Sequence, residues 1–252
     1  MSDKVIAFIE DGPSAAPVMA MAGLLGEILS ASVEAVHVGE EPATAVHDIA
    51  HAAGVPIRVV PGDPTEQIVA EMSSDAVRAG AVGARQHQGG PRPVGHTALN
   101  VITRVHKLVA VVPPQATVPL AKDMDRILIP LDGAPSSAKA VDRLCAACAH
   151  SGVEIIVLHV FDESTTPPFW DQPYHASEAF GREFLARFMR HPGTRVSLRS
   201  GAPQQSVLDA AVRESVDVIA LGWSQHLEPG RADVVRHVLS EAPMPVLLIP
   251  SG

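Results

Sequence analysis

The chain repeats one order of sequence features twice, and this repeat constrains its fold more than any other feature. Each copy begins with an apolar run that ends in Asp-Gly, so that Asp11 and Asp132 stand 121 residues apart. The matching segments keep the same order along both copies: VIAFIEDG (5–12) with ILIPLDG (127–133), VEAVHV (33–38) with VEIIVLHV (153–160), PGDPTEQIVAEM (61–72) with SGAPQQSVLDAA (200–211), and VAVVP (109–113) with VLLIP (246–250). Such an ordered series indicates a tandem duplication.

Within each copy, short apolar runs alternate with stretches whose apolar residues have helical spacing. This alternation predicts an α/β fold made of two tandem doubly wound domains, each with a parallel sheet, right-handed crossovers and helices on both faces. We predict the domains at 1–115 and 125–252, joined by a linker at 116–124 within a segment rich in proline and polar residues.

The last apolar runs of the two copies, VAVVP and VLLIP, are expected to pair with each other about a pseudo-twofold axis. The physical reason is that an apolar edge strand left unpaired invites association. Homodimerisation of the whole chain is a further option.

An insertion at 161–190 in the second copy contains most of the aromatic residues of the chain. These aromatic residues are Phe161, Phe169, Trp170, Tyr174, Phe180, Phe184 and Phe188. The latter part of the insertion has an apolar stripe of helical spacing. It is either a lid or docking arm that covers an interface or a small ligand, or a longer crossover helix that packs on its own sheet.

Composition and charge exclude several classes of partner. The formal net charge of −9 argues against nucleic acid, whose binding requires clustered cations. The apolar run near the amino terminus is too short for a signal peptide or a membrane span. Only two cysteines are present, which gives no disulfide framework. We therefore expect a cytoplasmic protein that binds neither nucleic acid nor membrane.

Cys145 and Cys148 have the CxxC spacing used in redox and metal sites. In redox sites this motif opens a helix, whereas here both cysteines lie on the apolar stripe inside a helix, which favours core packing. His37 and His159 end the second strand of each copy, and this shared position suggests a structural role or a place at the rim of a ligand site.

Both copies resemble the domain of the universal stress protein family. The matching features are a first strand ending in Asp-Gly, a second ending in His-Val, a Gly-x-Pro turn after the third, a glycine ending the fourth, and the segment SEAPMPVLLIP (240–250). The resemblance implies a five-stranded, doubly wound domain in a family in which many members bind ATP and others bind no nucleotide. It implies a regulatory binding module, with ATP or another adenine nucleotide as ligand and Mg²⁺ alongside it.

The first copy retains part of the nucleotide loop of that family, Gly-x2-Gly-x9-Gly-Ser/Thr. Gly83 matches the first glycine, Gln86 replaces the second, and residues 95–97 take the place of the last glycine and its hydroxyl neighbour. The candidate nucleotide-binding residues are Asp11, Val38, Gly83, Arg85, Gly95, His96 and Thr97. Because a helix amino terminus attracts phosphate, this loop is either a phosphate cradle or a turn that only connects a strand to a helix.

The second copy departs further from the family pattern. Its equivalent positions are Asp132, Val160, Gly222, Ala232 and Asp233. Gln225 stands at the second glycine of the loop and Ala232 at the third. The Asp233 carboxylate is expected to cap the following helix and to repel a phosphate. We therefore predict that this copy has lost triphosphate binding.

Two other classes of function compete with the regulatory module. A slow ATP-hydrolysing or phosphoryl-transfer enzyme would need a metal-binding carboxylate near the phosphates, and residues 84–97 contain no acid. A scaffold without nucleotide would instead bind a protein partner through the aromatic insertion. No catalytic or metal-ligating residue is proposed, so we expect the chain not to be an enzyme.

Overall fold

The computed structural model describes residues 3–84, 94–116, 124–161, 174–226 and 232–251, and within these ranges ten strands alternate with eight helices. The first half contributes β1 (Lys4–Phe8), α1 (Ala15–Leu29), β2 (Ser32–Val38), α2 (Thr44–Ala52), β3 (Ile57–Val60), α3 (Pro64–Met72), β4 (Val77–Gly83), α4 (His96–Arg104) and β5 (Leu108–Val112). The second half contributes β6 (Arg126–Pro130), α5 (Pro135–His150), β7 (Glu154–Phe161), α6 (Tyr174–Phe188), β8 (Thr194–Ser200), α7 (Pro203–Arg213), β9 (Val218–Trp223), α8 (Asp233–Glu241) and β10 (Val246–Pro250).

All ten strands form one sheet in the order β3-β2-β1-β4-β5-β10-β9-β6-β7-β8. At its centre β5 and β10 pair antiparallel, with Leu247 opposite Ala110, while the other described pairs of neighbouring strands are parallel. Counted from either end of the sheet, the equivalent strands of the two halves follow in the same order. The two halves are therefore related by pseudo-twofold symmetry. The predicted doubly wound fold and the predicted pairing of the last strands are confirmed. The domain boundaries stay predictions, and residues 117–123 of the linker lie outside the described residues.

Both faces of the sheet are buried, which explains the nearly continuous apolar strands. Successive side chains of a strand point to opposite faces. Val5 and Ala7 of β1 therefore pack in a core with α1, α2, α5 and α6, while Ile6 and Phe8 pack with α3, α4, α7 and α8. The ends of the parallel strands, where connections leave the sheet, are the remaining places for a ligand site.

A side chain of the second half closes the end of a first-half helix. Gln225 follows β9 with a backbone φ of +62°, in the left-handed region that glycine adopts without strain. Its Nε2 donates hydrogen bonds to the carbonyl oxygens of Ile102, at 3.2 Å, and Val105, at 2.9 Å. Carbonyls at the end of a helix lack partners within the helix, so this amide supplies a cap for α4. These hydrogen bonds connect the two halves. Gln225 makes them from the position at which the resembled loop pattern has its second glycine.

The described part of the aromatic insertion contains helix α6, which packs against β8. Phe184 is buried in the core, and Phe180 and Phe188 pack against it. This packing is that of a crossover helix. Phe169 and Trp170 belong to residues 162–173, which lie outside the described residues.

The central strand pairing generates a stability prediction. Leu247 is fully buried opposite Ala110, so Leu247→Ala should lower the free energy of unfolding by about 2–5 kcal/mol, through lost apolar burial and the cavity left behind. Val212 on α7 is 62% exposed, and Val212→Ala should change the free energy by less than about 0.5 kcal/mol. Urea-induced unfolding followed by circular dichroism measures both. Equal values for the two variants would contradict the proposed importance of the central pair.

Candidate functional site

The first half contains a cavity of about 320 Å³ at the carboxyl ends of its strands. It lies where the strand order reverses between β1 and β4, the position at which open α/β sheets bind ligands. Its walls come from the ends of β1, β2 and β4 and from the first residues of α3 and α4. Val38, one of the candidate nucleotide-binding residues, is part of this wall.

The amino terminus of α4 forms one side of this cavity. Gly95 is the residue before the helix, with φ of +81°, and it has no side chain that can accept hydrogen bonds from the first-turn N–H groups. The first turn contains no acidic residue, and Gly95, His96 and Thr97 all line the cavity. The Asn100 side-chain amide donates to Nδ1 of His96 over 2.6 Å, which orients the imidazole. Such a helix end attracts anions.

Gly83 ends β4 at the cavity, and its glycine identity has a packing cause. A Cβ atom at this position would lie 2.8 Å from Oγ of Ser14, the residue that precedes α1. A Cβ atom at Gly222 of the second half would lie 3.3 Å from the Cβ of Ala140, a tight but less severe contact. Both glycines therefore let the first helix of their half approach the end of a strand.

The carboxylate at the first cavity belongs to a residue that sequence reasoning missed. Glu10 lines the cavity, whereas Asp11 is exposed, and Oδ1 of Asp11 accepts a hydrogen bond from the backbone N–H of Ala43 at 3.0 Å. The sequence signal that could have identified Glu10 is its place directly before Asp11, in a pair of acids just after β1. Arg85, also a candidate, lies outside the described residues.

The second half contains a larger cavity, of about 710 Å³, at the equivalent strand ends. The structure brings together all the equivalents proposed from the sequence, and these lining residues are Asp132, Val160, Gly222, Ala232 and Asp233. Oδ1 of Asp132 accepts a hydrogen bond from the backbone N–H of Ala134 at 2.9 Å.

The expected cap of α8 by Asp233 needs correction. The residue before the helix is Ala232, and Asp233 is the first helical residue, with no side-chain cap bond at Ala232. Offset by one position, the carboxylate still lies in the first turn, where negative charge complements the helix dipole.

The two second-strand histidines make the same hydrogen bond. Nδ1 of His37 donates to the carbonyl oxygen of Ile9 at 2.9 Å, and Nδ1 of His159 donates to that of Leu131 at 2.8 Å. Their surroundings differ, because His159 lines the second cavity and His37 does not line the first. The shared hydrogen bond is structural, and in the second half the histidine also lies at a cavity.

Both cysteines lie in the hydrophobic core, as expected from the helical stripe. Burial raises the pKa of the Cys145 and Cys148 thiols, the latter to about 12. A thiol with such a pKa is a poor nucleophile. Core packing is therefore the role that the structure supports for this CxxC pair.

A second pair of possible metal ligands comes from α2, where His47 and His51 are separated by one helical turn. Nε2 of His47 lies 2.9 Å from Oε1 of Glu41. Across the described ranges, however, no three His, Cys, Asp or Glu side chains converge as a metal site. In the same ranges no helix has the length and apolar character needed to span a bilayer.

Comparisons with known proteins agree with this architecture. A model described as "Universal stress protein family" matches residues 124–250, half of the chain. A universal stress protein from Archaeoglobus fulgidus DSM 4304 matches with a TM-score of 0.68 and 14% identity, covering 100% of both chains. A putative universal stress protein from Pseudomonas aeruginosa UCBPP-PA14 has a TM-score of 0.68 and 12% identity, over 99% of this chain and 93% of the other.

A universal stress protein in complex with cAMP matches 51% of this chain and 98% of its own, with 22% identity and a TM-score of 0.40. No curated protein sequence matches the chain at a significant level.

The buried thiols generate a reactivity prediction. With a pKa of about 12, only about one Cys148 thiol in 10⁴ is ionised at pH 8, against roughly one in four for an ordinary cysteine. Iodoacetamide at this pH should leave both cysteines unlabelled in the folded protein and label both in guanidinium chloride, as read by mass spectrometry. Rapid labelling of the folded protein would show that the thiols are reactive, which would contradict this prediction and support a redox role.

The same pKa shift generates a prediction for alkaline stability. Because the folded-state pKa is raised, the thiols stabilise the fold fully below their ordinary pKa, near 8.5, and this contribution is lost as pH rises toward 12. The free energy of unfolding should therefore fall between pH 8 and pH 10. A variant with both Cys145→Ala and Cys148→Ala should lose less stability over this interval, and an equal loss would contradict the prediction.

Proposed function

The chain belongs to the universal stress protein family, and from this premise we propose that it is a regulatory binding module whose first half binds an adenine nucleotide. The ligand of this proposal is ATP or a related adenine nucleotide. The cytoplasmic location expected from the sequence stays a prediction, and homodimerisation stays an option.

The observation that carries the proposal is the amino terminus of α4 at the first cavity. Gly95 and the acid-free first turn leave this helix end without a side-chain carboxylate of its own. Backbone N–H groups and the helix dipole there favour a phosphate. The hydroxyl of Thr97 and the ring of His96 add side-chain donors at the same edge.

The other walls suit the base and the ribose. Phe8, Val36 and Ile68 are buried apolar residues that line the cavity, and they offer a surface for an adenine ring. Glu10 supplies a carboxylate that can accept hydrogen bonds from ribose hydroxyls or the adenine amino group. The volume of about 320 Å³ lies at the lower end of the range for small-molecule pockets, roughly 300–1,000 Å³.

In this proposal Mg²⁺ binds only together with the nucleotide. Glu10 is the carboxylate among the residues that line the first cavity, and the described residues form no group of three metal-ligating side chains. A Mg²⁺ ion keeps several waters and binds substrate phosphates readily, so phosphate oxygens would be its main ligands here.

The second half offers a natural design for the test, because Asp233 occupies the position equivalent to His96. Isothermal titration of MgATP into the whole chain should give about one site, and His96→Asp should weaken binding by about tenfold or more through charge repulsion. This substitution avoids the backbone strain that a side chain at Gly95, with φ of +81°, would introduce.

Two controls separate the added charge from the loss of the ring. His96→Asn removes the imidazole without adding charge and should bind MgATP within about threefold of the wild type. His106→Asp adds the same charge at an exposed position beyond the other end of α4 and should leave binding unchanged. Absence of binding by the wild type, or equal binding by His96→Asp, would overturn the proposal.

A further inference from the structure

The cavity of the second half differs from that of the first in volume, about 710 Å³ against 320 Å³. Both lie at the carboxyl ends of equivalent strands. The difference therefore comes from side chains and connections rather than from the sheet. The larger volume lies well inside the range of pockets that bury organic ligands, roughly 300–1,000 Å³.

Much of the wall of this second cavity is apolar and belongs to the core. Leu158, Phe161, Val207 and Leu221 line it and are only 0–4% exposed. Because the close packing of the core holds such side chains in place, this part of the cavity is formed before any ligand arrives. A preformed apolar wall favours the ring or hydrocarbon part of a ligand.

The rings of His159, Phe161 and Phe180 give the second cavity an aromatic surface. Phe180 of α6 lines the cavity, and its ring centroid lies 6.2 Å from that of His159, with an angle of 30° between the planes. The His159 ring is held by the hydrogen bond to Leu131 and by Phe184, 4.6 Å away between centroids. Because Nδ1 donates in that bond, a neutral His159 ring accepts hydrogen bonds through Nε2. A planar ligand can stack on these rings.

The charges that line the cavity are unfavourable for an anion. Asp132 follows β6, and Asp233 begins α8, the helix end at which a phosphate would otherwise bind. Among the described residues that line the cavity there is no lysine or arginine. A phosphate at this position would meet like charge at close range.

We propose that the second-half cavity is a separate binding site for an uncharged aromatic small molecule that carries no phosphate. The apolar wall and the rings of Phe180 and His159 hold the ligand, and the two carboxylates select against anions. The site is independent of nucleotide binding in the first half, so a failure of either proposal leaves the other in place.

Two dyes that share a ring system test this selectivity. N-phenyl-1-naphthylamine is uncharged, and 8-anilinonaphthalene-1-sulfonate carries an anionic group on the same framework. Fluorescence titration of the whole chain should give about one site for the uncharged dye, with at least about tenfold weaker affinity for the sulfonate. Absence of binding by the uncharged dye, or equal affinities for the two dyes, would overturn the proposal.

Adjacent glutamines on α7 provide a matched pair of variants that locates the dye. Gln204 is partly buried and lines the cavity, whereas Gln205 is exposed and does not line it. Gln204→Trp should fill the cavity from its rim and weaken the uncharged dye at least about tenfold, and Gln205→Trp should change its affinity less than about twofold. Unchanged binding by Gln204→Trp would place the dye elsewhere and overturn the proposal.

A third variant tests the charge without filling the cavity. Asp233→Asn keeps the size of the side chain, so it should raise the affinity for the sulfonate, relative to that for the uncharged dye, at least about threefold. No change in this relative affinity would contradict the selection against anions. Titration of MgATP into Gln204→Trp should match the wild type, which separates the two sites.

Discussion

The pairing of β5 with β10 is the interaction on which the rest of the structure depends. Val109 to Val112 and Val246 to Leu248 are at most 2% exposed, so either half alone would present an apolar edge with unpaired backbone groups. Joining these edges gives one sheet of ten strands that is buried on both faces. The pair is antiparallel, while the strands within each half are parallel. The strands of the two halves therefore run in opposite directions, and their carboxyl ends lie on opposite sides of the sheet along the strand direction.

Because the carboxyl ends of the two sets of strands lie apart, the two cavities are separate and can differ in volume and charge. Equivalent positions carry His96 in one half and Asp233 in the other, and each residue begins the helix that borders its cavity. A single change of charge at a helix amino terminus alters the preference for anions more than an apolar substitution in the wall, because the first N–H groups and the helix dipole act at that point. Gln225, at the end of β9, shows a second outcome of duplication, since its side chain now caps α4 of the other half.

The sequence contained enough information for the fold and for the location of both cavities. Apolar runs that end in Asp-Gly and His-Val identified the strands, and the repeat identified which strands are equivalent. Every equivalent proposed for the second half lines one cavity. In the first half, Val38, Gly83, Gly95, His96 and Thr97 line the other. These positions came from the loop pattern of the family that both copies resemble, and they fall at strand and helix ends, where open α/β sheets bind ligands.

By itself the sequence determined the duplication, the parallel halves and the strands that join them, because apolar periodicity is a property of neighbouring residues. Only the tertiary structure decided which carboxylate faces the first cavity, since beyond the end of β1 the chain leaves the strand and Asp11 binds Ala43 while Glu10 lines the wall. It also decided that the half with the poorer nucleotide loop has the larger cavity. That volume depends on how α6, α7 and α8 pack together, and contacts among elements far apart in sequence leave no local pattern to read.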